Sequence, residues 1–588
     1  MSISPEIEAT NILPTRLGAA VFRAKTLMLQ TRRFIRDTTR DVGASQRGDK
    51  LADQPVIAES KTALWTETSS EERHLVAGKI QNLRLAVAAL DGLELTAGET
   101  FSFWANVGRT SRRRGFVAGR ELREGCIIPN VGGGLCQISN ALYDAALRAN
   151  FEIVERHAHT QVIAGSLAEH GRDATVFWNY VDLRFRSPKP FRIEAKLTGD
   201  HLEVHFLGEK ADEQQLHRIT RGSQPASELG SCASCGMDDC FRVIKPPQTE
   251  FGRTAFLVDE YVPEFDAYIR SKLKPHDELF LPIDGKRFKR ANYGWSTDGF
   301  EEVHQSRYLT VVRSYRSRKL AAQGAARQRN LLAMSERLAE SYARRLDFEA
   351  LHVVVQQDLL PYLWNTGRLG GRTFDVLMTA LPMTEIQSRL DAAHDSHPES
   401  RTLADFRADT SLVAAESEAL RHARKIVTAH TAVADLFSEK TDLLPWRMPA
   451  VEACKASHAS GKPVIVFPAS TVGRKGCYEF RDSLRDLDIT LLTMGPLIED
   501  ADFWKGFDTR PAGDNWLEQA SLVVLPAFVE HRPRRLLQAA AAGIPVIASD
   551  ACGVRGVSGI TSFTLGDASA LSALIQDSLF PPKPTQAT

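Results

Sequence analysis

Long apolar runs are missing from this chain of 588 residues. No stretch reaches the roughly 18 apolar residues that a membrane-crossing helix needs, so no part is expected to span a bilayer. An excess of either charge is missing too: 73 basic residues balance 73 acidic ones. That balance argues against a surface built throughout for nucleic acid, which needs a basic face, and nucleic acid is not an expected partner. Cysteine is sparse, with eight residues, far below the density of a disulfide scaffold. A secretory leader is not expected either, because Glu6, Glu8 and Pro14 come first and Arg16, Arg23, Lys25, Arg32, Arg33 and Arg36 then interrupt the apolar positions. A reducing, cytoplasmic setting is the default, and no short-period repeat is present. What remains is an ordinary globular composition, 43% hydrophobic and 25% charged, which excludes fibrous, collagen-like and wholly disordered chains. The length implies about three or four folding units.

Residues 16–36 set Leu17, Val21, Leu27, Met28, Phe34 and Ile35 among basic residues, the pattern of a basic amphipathic helix. Such a helix either rests on the anionic inner face of a membrane or docks its apolar side on the next domain. A polar linker over 41–57 completes a first segment, 1–57. From 58 to 208 an α+β pattern is expected: a helix near 71–90, a glycine turn at 132–134, a helix near 137–149 and β-rich runs at 175–186 and 191–207. A polar connector follows at 209–248. Beyond it, short apolar strands (Leu351–Val355, Pro463–Phe467, Ile489–Thr493, Ser521–Leu525, Pro545–Ala548) alternate with helical patterns at 320–346, 411–425, 478–486 and 533–542. This is the rhythm of parallel sheets, read as two lobes over 249–440 and 441–588.

Three groups of residues carry candidate chemistry. In the first, Gly132-Gly-Gly-Leu-Cys136 leads into apolar residues at helical spacing, which puts Cys136 at a helix N-terminus. Unpaired N–H groups there favour a thiolate, as a nucleophile requires. The run Phe151–His159 alternates like a strand and offers His157 and His159 on one face, and Arg172, Asp173, Asn179 or Asp182 are available to orient an imidazole. Cys136 with His159 is therefore a candidate thiol-enzyme pair; the alternative is a small buried cysteine packed behind glycines that serve only close approach.

The separated motifs Gly98-Glu-Thr-Phe-Ser-Phe103, Gly132-Gly-Gly-Leu-Cys-Gln137, Glu155-Arg-His-Ala-His159 and Gly171-Arg-Asp-Ala-Thr175 occur in an order that resembles the VanW family over about 58–208. The family takes its name from glycopeptide-resistance clusters, so the resemblance implies a domain rather than a reaction.

The second group, Cys232-x2-Cys235-x4-Cys240, lies in the connector. Three such thiolates suit zinc or an iron–sulfur cluster, with Cys126, His205 or His217 as a fourth ligand. Exposed thiols or a labile disulfide are the alternatives, and a metal-containing interaction protein is one reading of the whole chain.

The third group belongs to the last lobe. Strand Val464–Phe467 leads into Gly473-Arg474-Lys475-Gly476, which sets two cations at the carboxyl end of a parallel strand, where open α/β sheets bind ligands. Leu522–Leu525 is followed by Glu530 and by a helix opening at Pro533. Its N-terminus and the two cations would neutralise a diphosphate. The stretch Leu525–Glu530 with Leu537–Asp550 resembles the donor lobe of two-domain (GT-B) glycosyltransferases, in the group related to glycogen and sucrose synthases, and 249–440 resembles their acceptor lobe. The resemblance implies a nucleotide-sugar donor gripped by Arg474, Lys475, Glu530 and Gln538, with Glu530 catalytic. Gln538 replaces the second glutamate of the family's pair, so only an uncharged hydrogen bond is expected there. The acceptor is a glycan, lipid or small molecule, with envelope assembly the expected context. The fold class is thus multidomain α/β: an α+β VanW-like domain followed by two Rossmann-like lobes of GT-B type. A GT-B scaffold kept for binding, beside a Cys136/His159 enzyme, is the rival reading.

Overall fold

The computed structural model describes residues 16–39, 43–65, 73–123, 126–159, 161–162, 166–178, 180–210, 224–225, 252–319, 324–405, 407–452, 462–565 and 568–580. It divides into two compact units: Met1–Arg253 with Leu346–His352 and Thr366–Thr373, and the remainder from Thr254 to Thr588.

The first unit is built on a five-stranded antiparallel sheet in the spatial order Gln46–Arg47, Leu93–Leu95, Phe191–Leu197, His201–Gly208, Val56–Ala63. Its strands obey a period of two. Phe191, Ile193, Ala195 and Leu197 point into the core while Arg192, Glu194 and Lys196 alternate with them. Helices Arg73–Leu90 and Cys136–Arg148 share this core. Ile138, Ala141, Leu142 and Ala145 form the buried stripe of the second helix, at the spacing the sequence displays. A three-stranded sheet, Thr100–Ser102, Arg184–Arg186 and Glu152–Glu155, is held to the larger sheet by phenylalanines. Phe101 stacks on Phe185 at 4.5 Å, and Phe151 reaches Phe191 at 4.6 Å and Phe206 at 5.5 Å. Each such ring contributes roughly 1.5–3 kcal/mol by leaving water.

Two expectations change here. Of the β-rich run at 175–186 only Arg184–Arg186 is a ladder strand. The backbone before it bonds to loops and side chains instead: Ala174 N–H donates to Asn140 Oδ1 and Thr175 N–H to the His157 carbonyl. The linker at 41–57 is partly structured, since Gln46–Arg47 pairs with Leu93–Glu94 and a strand already opens at Val56. The basic helix runs Arg16–Thr39 and is fastened to its unit by charge. Arg33, 4% exposed, pairs with Glu155 and donates to the Tyr180 carbonyl, and Arg184 reaches Asp37 at 2.6 Å. Leu27, Met28, Phe34 and Ile35 stay exposed. Among the described residues no helix is long and apolar enough to cross a membrane.

The second unit carries two sheets. The first has the order Glu302–Gln305, Glu278–Leu281, Arg253–Leu257, Ala350–Gln356, Thr373–Leu377, Lys425–Thr428, Thr441–Leu443. Its edge strand, Thr441–Leu443, pairs with Ile426–Thr428, so this sheet runs past the boundary expected at 440. The other sheet is fully parallel, in the order Asp508–Pro511, Thr490–Thr493, Val464–Phe467, Leu522–Leu525, Val546–Ser549, Ile560–Phe563. Leu522–Leu525 and Val546–Ser549 are buried along their whole length, which is why they read as unbroken apolar runs.

In both sheets the chain starts at an inner strand, moves outward for two strands, then returns to the other side of the first. This is the doubly wound order, and it leaves a crevice where the direction reverses, outside the carboxyl ends of the two central strands. In the first sheet the reversal lies between Arg253–Leu257 and Ala350–Gln356; in the second, between Val464–Phe467 and Leu522–Leu525. The topology thus locates the ligand-binding loops before any side chain is considered.

Candidate functional site

The reversal in the second sheet brings together the two loops that hold the expected cations and carboxylate. After Phe467 the chain closes a short turn at Gly473–Lys475, and Gly476 follows in the left-handed conformation, φ 71°. A Cβ on Gly476 would lie 1.8 Å from the Pro526 carbonyl oxygen, so only glycine lets the loops approach this closely. The Arg474 carbonyl accepts from Phe528 N–H at 3.0 Å, which stitches them together. Lys475 Nζ then donates to the Val529 carbonyl at 2.9 Å and to Glu530 Oε2 at 2.8 Å. Glu530 Oε1 accepts from Arg532 N–H at 2.9 Å.

This differs from two unpaired cations waiting opposite a helix end. Lys475 is buried, and an isolated buried ammonium would cost several kcal/mol, so it is stable here only with a counter-charge. Burial works against ionising Glu530, but the Lys475 charge and hydrogen bond prevail and hold the carboxyl down at about 2. Arg474 is half-buried in the same turn. His531 is pushed down to about 3 by burial and by Lys475 and Arg474, so it is neutral. His430 is likewise kept neutral by burial, at about 4, and its Nε2 donates to the Glu530 carbonyl at 3.1 Å. Gln538 lies half-buried farther along helix Arg534–Ala541. Among the described residues no hydrogen bond joins its side chain to Lys475 or Glu530.

The reversal in the first sheet supplies groups that motif reading passed over. Asp259, fully buried, is gripped by Arg313 Nη1 at 2.5 and 2.6 Å, and Gln356 bonds the backbone of both Asp259 and Glu260. Glu260 meets Arg532 at 2.6 Å, and Glu264 makes a two-point pair with Arg534, whose guanidinium lies over the Trp446 ring. The two reversal points therefore face each other through Arg532 and Arg534. Asp358, just beyond strand Ala350–Gln356, has its side chain exposed. Gln356 and Asp358 follow the expected strand Leu351–Val355, whereas the strand before Asp259 and Glu260 is not among those expected, and nothing local says which loop residues meet across a crevice. A cavity of about 430 Å³ opens at the carboxyl ends of Thr490–Thr493 and Asp508–Pro511, walled by Thr471, Gly495, Trp504, Lys505 and Arg510.

The first unit holds a separate cluster. The hairpin Ala118–Arg123/Cys126–Val131 delivers the chain into the glycine turn. Gly132 and Gly134 adopt φ 85° and 94°, and a Cβ on Gly133 would sit 2.4 Å from the Gly119 carbonyl oxygen. Asn82 Nδ2 fixes this turn by donating to Gly133 and Val117 carbonyls at 2.9 and 3.0 Å. The turn ends at Cys136, the first residue of a 13-residue helix, and the thiol is half-buried. His159 is the neighbour whose charge and polarity act on the Cys136 thiol. Of the four orienting candidates the structure selects Asp173: Oδ1 lies 2.5 Å from His159 Nδ1, and Oδ2 accepts the His159 N–H at 2.6 Å. Arg172 pairs instead with Asp144, Asp182 serves Ser102 and Arg184, and Asn179 lies outside the described residues. His157 does not join His159, because the strand ends at Glu155 and the alternation ends with it; His157 pairs with Glu155.

The metal-ligand expectation at Cys232, Cys235 and Cys240, with His217, lies outside the described residues, and nothing is described of the Cys126 side chain. His205 sits on the antiparallel strand His201–Gly208. Among the described residues no group of three or more His, Cys, Asp or Glu is placed to hold a metal ion.

Comparison with known proteins matches residues 78–207 to the VanW like protein family and residues 496–562 to glycosyl transferases group 1. The first region is 33% identical over 142 residues to the uncharacterized protein YoaR of Bacillus subtilis (strain 168), covering 24% of this chain and 46% of that one. It is 29% identical over 176 residues to the vancomycin B-type resistance protein VanW of Enterococcus faecalis (strain ATCC 700802 / V583), covering 29% and 62%. The chain thus spans about half the length of the curated relatives it matches. Among solved structures, sucrose-phosphate synthase from Thermosynechococcus elongatus overlaps 56% of this chain and 90% of its own, at 13% identity and a TM-score of 0.38. That overlap is too low to argue a shared activity. The architecture is a VanW-like region joined to parallel, Rossmann-like sheets, and the match at 496–562, which contains Glu530 and Gln538, supports a glycosyltransferase region.

Proposed function

We propose that the lobes at 249–440 and 441–588 form a glycosyltransferase that moves a sugar from a nucleotide donor to a glycan, lipid or small-molecule acceptor. The observation that carries this reading is the Lys475–Glu530 pair, at 2.8 Å, at the reversal point of a doubly wound sheet. A donor diphosphate lying there meets Lys475 Nζ, Arg474 and the N–H groups opening helix Arg534–Ala541. The negative charge of a departing nucleoside diphosphate is stabilised by the same groups. Glu530, held ionised, acts as an acceptor for donor hydroxyls, and Lys475 and the Arg532 N–H fix its orientation. Gln538 would add an uncharged hydrogen bond. The cavity beside Thr493 and Arg510 is where the nucleoside would rest, since it too lies outside strand carboxyl ends. A cytoplasmic enzyme touching the inner membrane face through residues 16–36, with an envelope-related acceptor, fits the exposed Leu27, Met28, Phe34 and Ile35 beside the exposed Arg32.

The test is thermal unfolding of the full chain with uridine, guanosine and adenosine diphosphates. One of them at about a hundred times its Kd should stabilise the protein by roughly 2.7 kcal/mol. Lys475→Ala should abolish that shift and Cys136→Ser should leave it intact. If no nucleoside diphosphate moves the transition, the reading fails.

A further inference from the structure

The cluster at Cys136 shares no residue with the crevice of the second unit, and glycosyl transfer uses none of it. Its parts are arranged in sequence of contact. Asp173, fully buried, spends one oxygen on the His159 ring and the other on the His159 backbone. Nδ1 is engaged by Asp173, so Nε2 is the ring nitrogen left to serve the thiol. The Arg156 guanidinium donates to the Asp173 carbonyl at 2.6 Å, and Thr175 N–H donates to the His157 carbonyl at 2.8 Å, so the loops bearing His159 and Asp173 are bonded to each other on both sides. Thr175 Oγ1 lies 3.7 Å from the thiol sulfur. The sulfur also sits at the start of a 13-residue helix, whose Gln137 and Ser139 N–H groups donate to the Gly134 and Leu135 carbonyls at 3.1 and 3.2 Å. The thiol and imidazole are both partly open to solvent.

We infer that this cluster is a second active site, in which Cys136 is the nucleophile of an acyl-transfer reaction on an amide or ester carbonyl, His159 is the proton carrier and Asp173 is a positioning residue. The Cys136 thiolate attacks the carbonyl carbon and an S–C bond forms. The carbonyl π pair moves to oxygen, where the Cys136 N–H at the helix start can receive the charge. On collapse the C–N or C–O bond breaks, and the leaving amine or alcohol takes its proton from His159 Nε2. Water then gives a proton back to Nε2 and attacks the thioester, the S–C bond breaks, and the acid and the original thiolate–imidazolium pair are released.

The electrostatics agree with the geometry. Burial opposes both charges, yet their mutual attraction lowers the Cys136 thiol, while Asp173 and Cys136 together raise His159 to about 10. Cys477 and Cys552 show the opposite case: both are buried and burial pushes both thiols up.

The test treats the full chain with iodoacetamide and, separately, with p-nitrophenyl acetate, and reads modification peptide by peptide. At pH 6.5 Cys136 should alkylate at least tenfold faster than Cys477 or Cys552, with a rate that changes little up to pH 8. His159→Gln should slow it at least tenfold and restore an ordinary thiol profile; Asp173→Asn should move that profile in the same direction with an unchanged unfolding midpoint for the second unit. p-Nitrophenyl acetate should release about one equivalent of nitrophenolate in a burst and acetylate Cys136, and Cys136→Ser should remove the burst. Slow alkylation with a midpoint near 8.5, or fast alkylation without acetylation, overturns the inference. Lys475→Ala should change none of these readings, so failure here and failure of the glycosyltransferase reading are distinguishable.

Discussion

Glu499 ties the loop that carries Lys475 to the other lobe, and its removal is the sharpest test of how that loop is held. The carboxylate is 6% exposed. Its Oε1 accepts from Ser400 Oγ at 2.9 Å, Thr402 Oγ1 at 2.5 Å and Gly473 N–H at 2.9 Å, while Oε2 accepts from Tyr478 O–H at 3.1 Å and Arg401 N–H at 3.3 Å. Gly473 opens the turn that presents Arg474 and Lys475. Glu499→Ala leaves these donors without their shared acceptor. Hydrogen bonds to a charged group are worth roughly 1.5–3 kcal/mol each, but the intact carboxylate already gives up several kcal/mol of hydration, so the net loss is about 3–5 kcal/mol. For a unit of this size each kcal/mol moves the midpoint by roughly 2 °C, which makes the expected fall about 6–10 °C. Glu499→Gln keeps one carbonyl oxygen for Ser400, Thr402 and Gly473 but sets an NH2 against Arg401 N–H; it should lose only about 1–2 kcal/mol. Differential scanning calorimetry of the full chain reads both, and the transition of the first unit should not move. A fall under about 2 °C for Glu499→Ala refutes the reasoning, because the five contacts would then carry no net energy.

Gly476→Ala should give a protein whose second unit folds poorly and no longer responds to nucleoside diphosphate, since its Cβ would sit 1.8 Å from the Pro526 carbonyl oxygen; circular dichroism melting combined with the nucleotide shift checks it. The N-terminal helix should detach in acid. Burial opposes the Glu155 charge, but His157, Arg33 and Arg184 hold its carboxyl at about 2 against an ordinary 4.5. A depressed carboxyl stabilises above its ordinary value and loses that contribution as pH falls towards 2. Limited proteolysis with pepsin should therefore cut within 16–39 increasingly as pH drops from 5 to 2.5. At pH 7, Arg33→Ala should expose the same segment to trypsin, and equal resistance of variant and parent would show that the helix is held by other means.

Much of the architecture follows from local chemistry. Parallel strands such as Leu522–Leu525 are unbroken apolar runs because both faces are covered, and the antiparallel Phe191–Leu197 alternates because one side carries Arg192, Glu194 and Lys196. Cys136 opens its helix because glycines precede it and a helical apolar stripe follows, information held within about twenty residues of chain. The short-range pattern fails where the chain bonds to itself at a distance. The run expected to be extended over 175–186 begins instead with Thr175 bonded to the His157 carbonyl, and His157 drops out once the strand stops at Glu155.

Local patterning thus dictates the elements and the residue types at their ends: a cysteine at a helix start, two cations after one strand, a glutamate after another. Which of these meet depends on long-range packing. Asp173 rather than Arg172 or Asp182 turns to His159, and Lys475 closes on Glu530 across 55 residues of chain. The reason is physical. Helices and strands are set by contacts a few residues apart, whereas a buried charge must find its partner wherever packing places one, and the doubly wound order that brings the Lys475 and Glu530 loops together is a property of the sheet as a whole.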